Sequence, residues 1–176
     1  MSKKFLLIIL VLSALGIGYY GYLGGFDQPQ ISRVQSTTRY IAGQYFEGPA
    51  DSEAFGEYFK KAGQVQESGA MPGGTLANIY YNNPEAQSDT IKAFIGIMMA
   101  DSSAALPAGY HWRIWQGGQQ VVRVSTQAHY LLAPNKLYPA LFDYLKEHQL
   151  KARSQYLEAF PAKDQAIIEA VLARKQ

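Results

Sequence analysis

The chain predicts an α+β fold: two successive units of β-β-α-β-β order, preceded by one apolar helix. Three observations predict it. Residues 5–23, FLLIILVLSALGIGYYGYL, carry no charge. Two later segments have apolar residues at helical spacing, with charges on the opposite side. Around each of them lie short runs rich in Val, Ile, Tyr and Phe, bounded by Gly, Pro and Asn, which read as strands. The two units are similar in length and order but not in sequence, so a duplication is read from the pattern alone.

At 176 residues the chain is long enough for one domain plus a small segment. The apolar run is that segment. At about 1.5 Å per residue it makes roughly 28 Å of helix, close to the hydrocarbon thickness of a bilayer. Tyr19, Tyr20 and Tyr22 stand at its far end, as in an interfacial aromatic belt. Lys3 and Lys4 precede it, and the next basic residue is Arg33. The bias of basic residues toward the cytoplasmic side gives a single-pass membrane protein with its N-terminus inside and its domain periplasmic or otherwise extracytoplasmic. The rival is a cleaved signal peptide, with Phe5 to Leu12 as apolar region and Ala14-Leu15-Gly16 as cleavage site. Either reading puts the domain outside. The expected division is 1–23 anchor, 24–30 linker and 31–176 domain, with halves about 31–100 and 109–176.

Within the domain, residues 31–35 form a weakly signalled strand. Residues 38–48 form a second, closed by Gly48-Pro49. Asp51 or Ser52 caps an amphipathic helix over 52–63, with Phe55, Tyr58, Phe59 and Ala62 on its apolar side. A polar, glycine-rich loop follows. Next comes GTLANIYYNNPE, 74–85, in which Leu76, Asn78 and Tyr80 share one strand face and Ala77, Ile79 and Tyr81 the other. Asn82-Asn83-Pro84 ends that strand. Residues 89–100 read as a strand buried on both sides. After a linker at 101–109, YHWRIW and QQVVRVST read as a hairpin turning at Gly117-Gly118. A second helix covers about 136–148, with Pro139 in its first turn, and RSQYLEAF is a strand ended by Pro161. The last segment, AIIEAVLARKQ, is rich in helix formers, and its alternation decides nothing.

Composition excludes several function classes. There is no cysteine, hence no disulfide, thiol nucleophile or thiolate metal site; this suits an oxidising compartment. His111, His129 and His148 lack ligand spacing, and no cofactor or metal is expected. Setting Lys3 and Lys4 aside leaves fourteen basic residues against fourteen acidic ones, without a basic block. A neutral domain lacks the footprint that nucleic-acid binding requires.

The quoted segments resemble the GyrI-like small-molecule-binding domain, also called the effector-binding domain and related to the SOUL proteins, from about Ile31 onward. YFEGPA at 45–50 is similar to the family's turn before the first helix. NIYYNNPE at 78–85 is similar to its Ile-Tyr-Tyr-Asp-x-Pro segment. FDYLKEHQL is similar to the second helix and its exit, where the family usually has glycine. QYLEAF is similar to the strand bearing Glu-x-Tyr, and AIIEAVLA to the final strand. The resemblance implies an eight-stranded antiparallel sheet with pseudo-two-fold symmetry and two main helices. It makes the last segment a strand, and it implies an aromatic cleft between the halves with a central glutamate. Two departures stand out. Matching Glu-x-Tyr puts Glu158 on the glutamate and Phe160 on the tyrosine; a four-residue shift would put Tyr156 on the tyrosine and Ser154 on the glutamate. In the final strand Val171 stands where the family has tyrosine.

The candidate ligand-binding residues are therefore Glu158, Tyr80, Tyr81, Tyr45, Trp112, Trp115 and Tyr156. A carboxylate among aromatics is poorly solvated, and tryptophans beside a cleft stack on flat ligands, cations above all. The expected function is an anchored module holding a planar, partly apolar small molecule, cationic if Glu158 is its partner. Two other classes share these features: a docking domain in an envelope complex, and a hydrolase using Glu158 with a tyrosine.

Overall fold

The structure, a computed structural model, describes residues 3–84, 90–162 and 164–173. Helix α1 runs Lys3–Tyr22 with no buried residue, and is long and apolar enough to cross a membrane. The strands are β1 (Gln30–Gln35), β2 (Arg39–Gly48), β3 (Thr75–Tyr80), β4 (Ile91–Met99), β5 (His111–Trp115), β6 (Gln120–Thr126), β7 (Ala152–Ala162) and β8 (Gln165–Leu172). Two further helices are α2 (Glu53–Glu67) and α3 (Pro134–Glu147). All eight strands join one antiparallel sheet in the order β1-β6-β8-β7-β3-β4-β2-β5.

The elements follow the local chemistry. Ser52 caps α2, its hydroxyl accepting from the Phe55 amide at 3.2 Å. The helix runs one turn past the expected end, because Val65 packs against the core and extends the apolar stripe. In α3 the first helical residue is Pro134, whose fixed φ suits that position. Pro139 therefore lies in the second turn rather than the first. It removes the amide that would bond the Asn135 carbonyl, and both residues are exposed, so water can take that carbonyl. The last segment is a strand, as the resemblance implies: Ala166, Ile168 and Ala170 are buried on one face, Glu169 and Val171 on the other. A helix would present one apolar stripe; here both faces are covered. Asp89 and residues 174–176, included in the expected strands, lie outside the described residues.

The expected hairpin at Gly117-Gly118 does not form. β5 pairs with β2, and β6 pairs with β1 and β8. Gly43↔His111 through Arg39↔Trp115 continues as Gln35↔Gln120 through Gln30↔Ser125. Residues 30–48 and 111–126 thus form one antiparallel ribbon, interrupted around Ser36. Ser36 accounts for the difference. Its hydroxyl donates to the Gln116 carbonyl at 2.7 Å and accepts from the Gln119 amide at 3.1 Å. Its carbonyl accepts from Gly118 at 2.9 Å. The glycines let the chain pass close by: a Cβ on Gly117 would lie 2.6 Å from the Thr38 hydroxyl, and Gly118 has φ +76.

The ribbon carries the chain from one end of the sheet order to the other. One face of the sheet lies under α2 and α3, where Leu137, Leu141 and Leu145 are buried. Each such side chain contributes about 1.5–3 kcal/mol. The opposite face holds Ile41, Ala77, Ile79, Phe94, Trp115, Val121, Leu157 and Val171, all buried although no helix among the described residues packs on them. The sheet curls around them.

Glu169, with no exposed surface, ties that curl together. Its Oε1 meets Arg39 Nη2 at 3.1 Å and Arg123 Nη2 at 2.7 Å, and its Oε2 accepts from Trp115 Nε1 at 2.9 Å. These partners come from β2, β6 and β5. Removing one partner of a buried pair costs about 3–5 kcal/mol, and the partial exposure of both arginines favours the lower end. Glu169→Ala should therefore destabilise the fold by about 3 kcal/mol, measured by urea denaturation. A loss under about 0.5 kcal/mol, as for an ordinary surface change, would contradict the closure described here.

Candidate functional site

The sheet centre is the contact of β3 with β7, where Asn78 lies opposite Glu158 and Tyr80 opposite Tyr156. Alternation turns Asn78, Tyr80 and Glu158 toward the helices. Between α2 and α3 a cleft of about 880 Å³ opens over them, within the range of small-molecule sites. Its floor holds Asn78, Tyr80 and Glu158. Its walls include Phe55, Phe59, Tyr130, Tyr138 and Phe160. Gly63 on α2 adds no side chain where the wall would otherwise thicken.

Glu158 is 4% exposed. Its Oε2 accepts from Asn78 Nδ2 at 3.2 Å and from the Tyr80 hydroxyl at 3.1 Å. Burial, then the Glu158 charge and hydrogen bond, hold the Tyr80 phenol well above its usual pKa; hydrogen bonds of Tyr138 and Asn78 act the other way. The phenol therefore stays a donor across the physiological range.

The structure brings Glu158 and Tyr80 together and distributes the other candidates elsewhere. Tyr81 points to the opposite face, 6.2 Å from Tyr45 between ring centroids. Burial raises its pKa, and Arg113 opposes that. Tyr45 is exposed and donates to Glu47 at 2.8 Å. Trp115 lies on the opposite face with Glu169. Trp112 and Tyr156 are on the helix side, Trp112 against the core and Tyr156 packed edge-on to Phe142, but neither lines the cleft. Ser154, the alternative to Glu158, is exposed near the start of β7.

Residue-type reasoning missed Asn78, Tyr138, Phe55, Phe59 and Phe160 as cleft residues. Two signals were available. Asparagine is disfavoured in strand interiors, so Asn78 between Ala77 and Ile79 needed a polar partner. Phe160 shares strand parity with Glu158.

A second groove, about 810 Å³, is lined by Arg33, Lys151, Arg153 and glutamines at the end of the sheet near β1. Among the described residues it has no aromatic wall and no buried carboxylate, so it does not fit the same ligand class.

No family model matches the chain, and no curated protein matches it in sequence. Solved structures do share its fold. An integron cassette protein from the mobile metagenome of Vibrio cholerae superposes with a TM-score of 0.66 at 10% identity, over 84% of this chain and 99% of that one. SAV2435 bound to tetraphenylphosphonium gives 0.56 at 10% identity, over 82% and 94%. A hydrolase from Listeria innocua gives 0.52 at 7% identity, over 88% and 98%. At these identities the fold is what is shared.

The raised Tyr80 pKa sets a pH dependence. Below about pH 10 the folded and unfolded chains both keep this proton. Above it the unfolded chain releases the proton while the folded chain holds it, so stability falls as pH rises. Thermal melts from pH 7 to 11 should show a shallower alkaline decline for Tyr80→Phe than for the unsubstituted chain. Equal slopes would mean that Tyr80 is not held against Glu158.

Proposed function

We propose that this chain is a membrane-anchored, extracytoplasmic member of the GyrI-like domains that binds a partly apolar cation bearing flat aromatic rings between α2 and α3. The observation that carries the reading is Glu158, a buried carboxylate held by Asn78 and Tyr80 on the floor of an aromatic cleft. Aromatic walls stack on flat rings, and a carboxylate in a low-dielectric floor attracts a cation more strongly than one in water. SAV2435 offers a precedent, since tetraphenylphosphonium is an aromatic lipophilic cation. The fold likeness and the sheet order support the family reading. With the second half primed, the order is 1-2′-4′-3′-3-4-2-1′, which reads alike from both ends, as two duplicated halves exchanging first strands would. An open cleft favours a ligand over the docking-domain reading, for which a filled cleft would be expected. The anchor reading is supported by α1, which is unburied and carries no charge after Lys4.

A second reading, hydrolysis of a reactive small molecule, draws support from one distance. The Tyr80 hydroxyl lies 3.1 Å from the Glu158 carboxylate, so the two could share one water or substrate oxygen.

The test is calorimetry with tetraphenylphosphonium on the full chain in detergent. Glu158→Gln keeps size and removes charge. The substitution should weaken binding at least tenfold, given the roughly 2–5 kcal/mol cost of removing a desolvated charge partner. Triphenylphosphine oxide, aromatic but neutral, should lose much less. Equal affinity of both proteins for the cation would overturn the assignment of Glu158.

A further inference from the structure

The segment after α1 folds onto the domain. The Leu23 carbonyl accepts from the His129 amide at 3.0 Å. Asp27 Oδ2 accepts from the Thr126 hydroxyl at 2.7 Å and the Gln127 amide at 2.8 Å; these bonds hold its carboxyl below the usual pKa, so the clasp stays ionised at neutral pH. Lys136 Nζ donates to the carbonyls of Gly25 at 2.7 Å and Asp27 at 2.6 Å. Gly24 permits the close approach: a Cβ there would lie 2.3 Å from the Gln127 carbonyl oxygen. The connection between β6 and α3 and the first turn of α3 are thereby fixed to the segment that leaves α1.

That connection exposes apolar side chains where the helix ends. Among the described residues outside α1, Phe26 (66%) and Leu131 (64%) are the most exposed large apolar side chains, and Tyr130 is 50% exposed. Phe26 packs edge-on against Tyr20, at 5.2 Å between centroids. Tyr130 and Leu131 follow His129 directly, so their Cα atoms lie within roughly 8 and 12 Å of the Leu23 carbonyl oxygen. The interfacial layer outside the hydrocarbon core is about 5–8 Å deep on each side. Tyr130 and Pro134 also line the cleft.

From this juxtaposition we propose that Phe26, Tyr130 and Leu131 form a membrane-seating surface that holds the rim of the cleft in the lipid headgroup layer. The occupant is the phospholipid bilayer that α1 itself enters, because Phe26 packs on the end of that helix and the residue before Tyr130 is hydrogen-bonded to Leu23. This rests on the reading of α1 as a membrane span. It goes beyond the ligand proposal in making the bilayer surface, rather than bulk water, the phase next to the cleft. The ligand class that fits is an amphiphilic cation that already partitions into membranes.

The chain has no cysteine, so single-site labelling needs no background removal. Nitroxides at Phe26→Cys, Tyr130→Cys and Leu131→Cys report depth in the full chain, reconstituted in phosphatidylcholine–phosphatidylglycerol vesicles. Gln120→Cys is the control: it is exposed at the far end of β6, roughly 20 Å from Thr126. The three labels should be several-fold less accessible to a water-soluble nickel chelate than the control, and more accessible to oxygen. Melting temperatures near that of the unsubstituted chain confirm that each label reports a folded protein; an unfolded variant is replaced by its neighbour among the three. Accessibilities at Tyr130 and Leu131 equal to that at Gln120 would overturn the seating surface. With binding measured on the unsubstituted chain, interfacial labels without tetraphenylphosphonium binding would leave the seating intact and remove the ligand reading; aqueous labels with binding retained would do the reverse.

Discussion

The structure depends on how the sheet closes around its uncovered face. Glu169 is the constraint: a carboxylate with no solvent contact, met by two guanidinium groups and an indole N–H from three other strands. None of these groups is worth much alone at a surface. Buried together they fix which strands approach, because a displaced strand would leave a charge without a partner. Trp115, also without exposed surface, fills the volume beside them. The ribbon of residues 30–48 and 111–126 can exchange strands between the ends of the sheet because this cluster and Ser36 hold it on both sides of its interruption.

Closure leaves β3 and β7 adjacent at the sheet centre, with α2 and α3 flanking them. Two buried glutamates then lie one strand apart on opposite faces. Glu169, opposite Leu157, faces the curl and is neutralised by arginines. Glu158, opposite Ile168, faces the helices and is met by an amide and a phenol. The same residue type is structural in one setting and a candidate binding group in the other. Their settings differ: the curl is closed around Glu169, whereas an open aromatic cleft lies over Glu158. Tyr80 connects fold to site. It packs under the helices, yet its hydroxyl reaches the cleft floor, whereas Tyr81, one residue on, belongs to the other face.

Most elements were legible in the sequence because their signals are local. Amphipathic spacing gave α2 and α3, turn residues gave the strand ends, and an uncharged run gave α1. Glu158 and Tyr80 were among the candidates because a family-like motif pointed to both. What could not be read was long-range. Gly117-Gly118 carries the composition of a hairpin turn, but the backbone there is bound by Ser36, eighty residues before Gln116 in the chain. Which of two adjacent tyrosines faces a cleft depends on where the helices lie, which parity does not encode. Tyr45, Trp112 and Trp115 were drawn in by their chemistry, but their faces are set by strand pairing. Glu169 was missed because its partners converge from distant strands.

The central claim is that a lipophilic cation binds between α2 and α3 against Glu158. Tetraphenylarsonium has the shape and charge of tetraphenylphosphonium, and its arsenic scatters anomalously. Crystals of the full chain grown with it should show one anomalous peak in the cleft, beside the Glu158 carboxylate and among Phe55, Phe59, Tyr130 and Phe160. A peak in the groove near Arg33 and Arg153, or no peak at a concentration that saturates binding in solution, would contradict the account.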